Sequence, residues 1–96
     1  MNPQDALSIL RSNLPELREL GILSLAIFGS VARNEARADS DVDLLVDFEP
    51  PLSFDRYMDA KFRLEALLGR SVDLVTTAGL KPGLREVVAR ESLRVA

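Results

Sequence analysis

Apolar positions along the chain alternate between helical spacing and short continuous runs, a pattern that predicts helices flanking a small sheet. The first helix is expected over residues 3–12, where Asn2 can cap its start and apolar residues recur at helical spacing. Pro15 should kink or split this region, so a second piece is expected over residues 15–20, ending at Gly21.

Three apolar runs predict strands over residues 22–28, 42–48 and 71–76. The first run is almost continuously apolar, which favours burial of both its faces. The link between the first two runs is too short for a crossover helix, so these strands should pair antiparallel. The third run follows a helix and should lie parallel to the second. The elements therefore predict an α/β (α+β) fold, a small mixed sheet of three to four strands packed against helices.

Two more helices complete the pattern. A long helix should begin after Ser53 and end at Gly69. Its predicted buried stripe consists of Phe54, Tyr57, Met58, Phe62 and Leu67 or Leu68. We interpret this stripe as core rather than as a platform for stacking bases. A last helix follows Pro82, and residues 92–96 form either a short edge strand or a frayed tail.

Composition narrows the chemistry that the chain can perform. Its 96 residues suit one domain, so residues 1–96 are interpreted as a single minimal domain. The absence of Cys and His excludes thiolate metal sites and a Ser-His-Asp triad, which leaves carboxylates, hydroxyls, Lys, Arg and metal. No apolar run approaches the roughly 18 residues of a membrane span, and a cytoplasmic location is expected. A net charge of −3 argues against a DNA partner.

Two aspartates open the second predicted strand. Asp41 and Asp43 project to the same face, because strand side chains repeat every two residues. At about 5 Å and an effective dielectric of about 20, their charges repel by about 3 kcal/mol. A divalent cation offsets that cost, and oxygen ligands favour magnesium or manganese. Asp73, in the third strand, can lie roughly 4.8 Å from Asp43; the alternative is an ion pair between Asp73 and Arg33 or Arg70.

The turn after the first strand adds groups that can bind phosphate. Gly29 and Ser30 offer backbone N–H groups and a hydroxyl, and antiparallel pairing places them beside the two aspartates. Arg33 could contribute a charge-assisted phosphate contact, or instead pair with Glu35 or a cluster aspartate. Metal plus phosphate indicates nucleotide chemistry, with one or two Mg²⁺ ions orienting an in-line attack on the α-phosphorus. Asp73 could accept the proton of the incoming hydroxyl.

The order of these residues resembles a known signature. Gly29-Ser30, ten intervening residues and Asp41-x-Asp43, followed by a separate strand acid at Asp73, resemble the signature of the DNA polymerase β-like nucleotidyltransferase superfamily. Each short motif is weak by itself. Their spacing, their apolar flanks and the third acid together make the resemblance specific.

The surrounding sequence resembles the minimal nucleotidyltransferase (MNT) branch of that superfamily. The similarity runs through residues 28–33, 39–46, 67–75 and 80–82, and so covers nearly the whole chain. One position departs, because Asn34 stands where relatives often carry glycine. Asn tolerates a left-handed backbone, so the turn should survive.

The resemblance implies a polymerase β-like fold, Mg²⁺ as cofactor and ATP as substrate. It also implies a partner, an all-helical HEPN ribonuclease toxin, which this branch neutralises as antitoxin by transferring AMP to a tyrosine. Carried over to this chain, Gly29 and Ser30 bind nucleotide, and Asp41, Asp43 and Asp73 are catalytic and bind metal. A homodimer or a hetero-oligomer with the toxin is compatible with so small a core.

Two other functions stay open at this point. An antitoxin could neutralise its partner by binding alone, without chemistry. Nucleotidyl transfer could instead act on a small molecule such as an aminoglycoside, or on RNA. The acidic net charge argues against RNA. We expect no further domain to hold a drug acceptor, which favours an acceptor that docks as a separate protein.

Overall fold

Helices and strands follow one another as the sequence pattern predicts. The computed structural model describes residues 1–96. Its elements are α1 (Pro3–Ser12), α2 (Leu14–Glu19), β1 (Ile22–Phe28), α3 (Gly29–Ala32), β2 (Val42–Phe48), α4 (Phe54–Leu68), β3 (Val72–Thr76), α5 (Pro82–Glu91) and β4 (Leu93–Arg94), with a 3₁₀ turn at Thr77–Gly79. No helix is both long enough and apolar enough to cross a lipid bilayer.

The sheet has four strands in the order β3-β2-β1-β4. β1 pairs antiparallel with β2 and with β4, and β2 pairs parallel with β3. These pairings confirm the predicted mixed sheet packed against helices. Residues 93 and 94 form the edge strand, which settles the alternative left open for the end of the chain.

The core lies on one face of the sheet only. Helix α1 packs on α4, α4 packs on β3, and α2 packs on β1. The buried residues form a single cluster, contributed by these helices and the facing strand positions: Ala6, Leu7, Leu10, Leu17, Ile22, Leu25, Ile27, Val31, Val42, Leu44, Val46, Ala60, Leu64, Leu68, Val72, Leu74 and Val95. Helices α1, α2 and α4 therefore cover one face of the sheet.

The prediction that β1 is buried on both faces is wrong. Leu25 and Ile27 are buried, whereas Leu23 is 60% exposed and Ala26 and Phe28 are only partly buried. The helices cover only one side, so the apolar residues of β1 that point the other way face solvent. A continuous apolar run does not distinguish this arrangement from a strand buried on both sides.

Helix boundaries follow the predicted capping groups. The Asn2 side chain accepts a hydrogen bond from Asp5 N at 2.8 Å, and Ser53 Oγ accepts one from Arg56 N at 3.1 Å. Gly69 ends α4 with φ +67°, a left-handed conformation that favours glycine. Side-chain caps at both helix starts satisfy N–H groups that have no partner within the helix.

The buried stripe of α4 differs from the predicted one. Its buried residues are Ala60, Leu64 and Leu68, while Phe54 and Phe62 are 76% and 57% exposed. The predicted Leu68 is buried, whereas Phe54, Met58 and Phe62 form a separate row of residues spaced by four that is not buried. Either row could have faced the sheet. Tyr57, as predicted, packs against the core, and its hydroxyl donates to the carbonyl of Leu74.

Candidate active site

Strand register brings the predicted site residues to one end of the open face. Phe28 of β1 is the partner of Asp43 on β2, and Asp43 is in turn the partner of Asp73 on β3. Partner residues on neighbouring strands project to the same side of a sheet. Asp43 therefore lies between the Gly29 turn on one side and Asp73 on the other.

The charges of the site act on one another at Asp43. Partial burial is the main cause that raises the pKa of Asp43 above its ordinary value, and the negative charges of Asp73 and Asp41 raise it further. The positive charge of Arg33 acts in the opposite direction. All three aspartates thus contribute to one electrostatic site, in which Asp43 is partly buried and the other two are exposed.

The three aspartates have no cation partner within the protein. The ion pairs of the structure join Arg33 to Glu35 and Glu91, and Arg63 to Glu16. The alternative in which Asp73 pairs with Arg33 or Arg70 is therefore wrong. No ion pair occupies the three carboxylates, so their oxygens are available to a ligand.

Gly29 is the residue that lets the turn approach Asp43. Its φ is +70°, and a Cβ added there would lie 2.0 Å from Asp43 Oδ2. Any other residue would face both backbone strain and a collision. The Gly29 backbone consequently lies directly against the Asp43 carboxylate, with partly buried Ser30 as the next residue.

The turn that follows closes through backbone hydrogen bonds. Arg33 N donates to Gly29 O at 3.1 Å, and Glu35 N donates to Ser30 O at 2.8 Å. Asn34 has φ +57°, so it adopts the left-handed conformation that Asn tolerates. The departure at this position leaves the turn intact.

Arg33 lies at the edge of the site and forms the ion pair with Glu35 that was predicted as the alternative to a phosphate contact. Its Nε is 3.2 Å from Glu35 Oε2, and its Nη1 is 3.6 Å from Glu91 Oε2 on α5. Both pairs are solvent-exposed, and such pairs contribute about 0–1 kcal/mol. The guanidinium can therefore exchange these carboxylates for a phosphate at little cost. Glu91 was missed by the sequence analysis, because nothing in its local sequence links it to Arg33.

The donor set fits a divalent cation that arrives with phosphate. No group of three or more acidic side chains lies close enough together to enclose a metal ion by itself. Mg²⁺ is usually held by one or two carboxylates together with substrate phosphates and water rather than by a protein-only cage. Oxygen ligands, uncompensated negative charge and an adjacent glycine turn are compatible with that mode of binding.

A groove of about 440 Å³ lies elsewhere on β1 and β2, and none of the candidate site residues lines it. Its lining includes Ser24, Leu45, Asp47, Thr77 and Arg94. Asp47 accepts a hydrogen bond from Ser24 Oγ at 2.8 Å, so this acid has a partner that Asp43 lacks. Asp47 lies on the same strand as Asp43 and provides an internal comparison for it.

Comparison with known proteins gives consistent matches over nearly the whole chain. A family model described as a nucleotidyltransferase domain matches residues 7–95. The protein adenylyltransferase MntA of Thermococcus cleftensis is 47% identical over 89 residues, which cover 92% of this chain and 90% of that protein.

Two solved structures show the same fold. A protein described as a candidate minimal nucleotidyltransferase superimposes with a TM-score of 0.84 at 42% identity, covering 97% of this chain and 95% of the other. A complex described as a tri-AMPylated Shewanella oneidensis HEPN toxin with its MNT antitoxin superimposes with a TM-score of 0.66 at 18% identity. That match covers 94% of this chain and 71% of the other, and it is a likeness of fold.

Proposed function

The chain belongs to the nucleotidyltransferase domain family, in its minimal branch, and we propose that it transfers AMP from ATP to a tyrosine hydroxyl of a HEPN-type toxin, acting as the antitoxin. The observation that carries the proposal is the register that sets Asp43 between Gly29 and Asp73. The name of the Thermococcus cleftensis relative supports protein adenylyl transfer, and the described Shewanella oneidensis complex supports a HEPN partner.

Each residue of the proposed site has a separate role. Asp41 and Asp43 would hold Mg²⁺, and Asp73 would complete a second metal position. The bound cation would neutralise phosphate charge and polarise the α-phosphoryl group. The Gly29 backbone, Ser30 and Arg33 would bind the β- and γ-phosphates.

The transfer itself needs one base and one leaving group. The tyrosine oxygen forms a bond to the α-phosphorus, while the bond from that phosphorus to the bridging oxygen breaks and pyrophosphate leaves. Asp73 is exposed on the open face and is suited to accept the hydroxyl proton. Gly29 and Ser30 lie on the other side of Asp43, where they can hold the departing pyrophosphate.

The acceptor is proposed to reach the site across the open sheet face. Helices α1, α2 and α4 pack on the opposite face, so they do not block a protein that docks there. This arrangement favours a hetero-oligomer with the toxin as the active assembly. ATP and Mg²⁺ are abundant in the cytoplasm, where we propose that the protein acts.

The test measures label transfer to a helical HEPN-type protein that binds this chain. The proteins are incubated with Mg²⁺ and ATP labelled at the α-phosphate, after binding of the two proteins has been established. We expect labelled partner with the native chain and with Asp47→Asn, and a loss of at least about 10²-fold in the Asp41→Asn/Asp43→Asn double variant. Asp47→Asn removes an acid from the same strand outside the proposed site and is the matched control.

Three results would contradict the proposal. One is an unlabelled partner despite confirmed binding. Another is equal loss of labelling in the double variant and in Asp47→Asn. A third is full neutralisation of the toxin by the double variant, which would show that binding suffices.

A further inference from the structure

We propose that Arg70 is a positioning residue that fixes Asp41 for binding of the Mg²⁺–ATP complex. Arg70 belongs to the connection between α4 and β3, and its side chain reaches the loop that precedes β2. The inference rests on the proposed function only for the identity of the ligand.

Asp41 lies outside the regular part of the sheet. β2 begins at Val42, so the last residues of the preceding loop, up to Asp41, are not held by paired strand hydrogen bonds. Within the loop, Arg37 N donates to Ser40 Oγ at 2.9 Å and Ser40 N donates to Arg37 O at 3.1 Å. These bonds close a tight turn just before Asp41, but they do not attach that turn to the rest of the protein.

Arg70 supplies the attachment. Its Nη1 donates to Arg37 O at 3.1 Å and to Ala38 O at 2.9 Å. One residue further on, Ser71 O accepts a hydrogen bond from Val42 N at 2.9 Å. The connection that leads to Asp73 is therefore tied on both sides of Asp41 to the connection that leads into β2.

Arg70 forms no ion pair with Asp41 or Asp73. Its guanidinium donates to backbone carbonyls, and none of the ion pairs of the structure includes Arg70 or Asp41. A small polar cavity of about 180 Å³ separates the two connections and is lined by residues 38–41 and 69–71. Arg70 can thus order the loop without occupying the carboxylate that the metal needs.

The arrangement links the two acids to each other. Ala38 precedes Asp41 by three residues and Arg70 precedes Asp73 by three residues. The hydrogen bond from Arg70 to Ala38 O therefore fixes the start of β2 relative to the start of β3, and with it Asp41 relative to Asp73. Losing it should loosen Asp41 while β2 and β3 keep their own pairing from Val42 and Val72 onward.

The test is a double-variant cycle on binding, which needs neither an acceptor nor turnover. The dissociation constant of ATP with Mg²⁺ is measured by calorimetry for the native chain, Arg70→Met, Asp41→Asn and the double variant. We expect Arg70→Met to weaken binding about tenfold in the native background and less than about twofold in the Asp41→Asn background. Arg63→Met is the matched control, because Arg63 bonds Glu16 and lies on α4.

The outcomes separate a positioning role from a structural one. Equal weakening in both backgrounds would overturn the inference, and so would binding by Arg70→Met within twofold of the native value. If Arg70→Met does not fold, Arg70→Lys enters the same cycle, and additivity again overturns the inference. The native chain could bind Mg²⁺–ATP, and Arg70→Met could weaken that binding only when Asp41 is present, while no label reaches the partner. That result would refute the proposed function and leave this inference standing.

Discussion

Gly29→Ala should damage the site far more than the fold. Gly29 has φ +70°, and a Cβ there would lie 2.0 Å from Asp43 Oδ2, whereas ordinary contact begins at 3.4 Å. The carboxylate or the turn must therefore move by about 1.4 Å. A misplacement of about 1 Å in catalytic geometry can cost about 10²-fold in rate. We expect at least that loss in label transfer from ATP.

A second glycine isolates the backbone contribution. Gly69 has φ +67°, and a Cβ added there would meet no atom within 4 Å. Gly69→Ala thus carries the same left-handed strain of about 1–2 kcal/mol without a collision. In a domain of this size, each kcal/mol corresponds to about 4–8 °C in Tm. Both variants should lose stability, and only Gly29→Ala should lose most of its activity.

The assay compares the two variants at a temperature well below both melting transitions. Thermal unfolding followed by circular dichroism gives Tm, and transfer of the α-phosphate label gives the rate. Equal activities in the two variants would refute the reasoning, because strain is the only property that they share. A rate for Gly29→Ala within threefold of the native value would refute the argument that the approach of the turn to Asp43 matters.

Further variants test the electrostatics and the core. Asp43→Asn should raise Tm near pH 7, because folding raises the pKa of the Asp43 carboxyl and its ionisation therefore destabilises the native state. Tm measured from pH 3 to 8 should show that the difference between the variant and the native chain disappears at low pH. Arg33→Gln should weaken ATP binding in calorimetry while changing Tm little, since its pair with Glu91 is exposed. Leu64→Ala should lose about 2–5 kcal/mol in urea unfolding, whereas Phe62→Ala, on the exposed row of the same helix, should lose less than about 0.5 kcal/mol.

Local signals predicted the boundaries of the elements and the strand pairing. The caps at Asn2 and Ser53 act within three residues, so they can be recognised from the sequence alone. The short connection between β1 and β2 fixed their antiparallel pairing, and the helix before β3 fixed the parallel one. These pairings then placed Asp73 beside Asp43 without further assumption.

The sequence did not determine which face of a helix packs against the sheet or which distant residues contact each other. The two rows of α4 are both apolar, and only the packing decides that Leu64 faces the core and Phe62 faces solvent. The contact of Arg33 with Glu91 and the hydrogen bonds of Arg70 to the β2 connection join residues far apart in the chain. No local periodicity reports such pairs, so they became visible only in three dimensions.

The one-sided core explains how a chain of this size can carry uncompensated acids. The buried residues of β2 and β3 face the helices, so Asp43 and Asp73 add charge to the other face without opening the core. Complete burial would cost a carboxylate several kcal/mol in desolvation, while the partial burial of Asp43 raises its pKa and is tolerated. The repulsion that remains is an unfavourable contribution to the free protein, which the proposed Mg²⁺ would remove on binding. If Asp43 holds Mg²⁺ as proposed, stability and ligand affinity oppose each other at this residue.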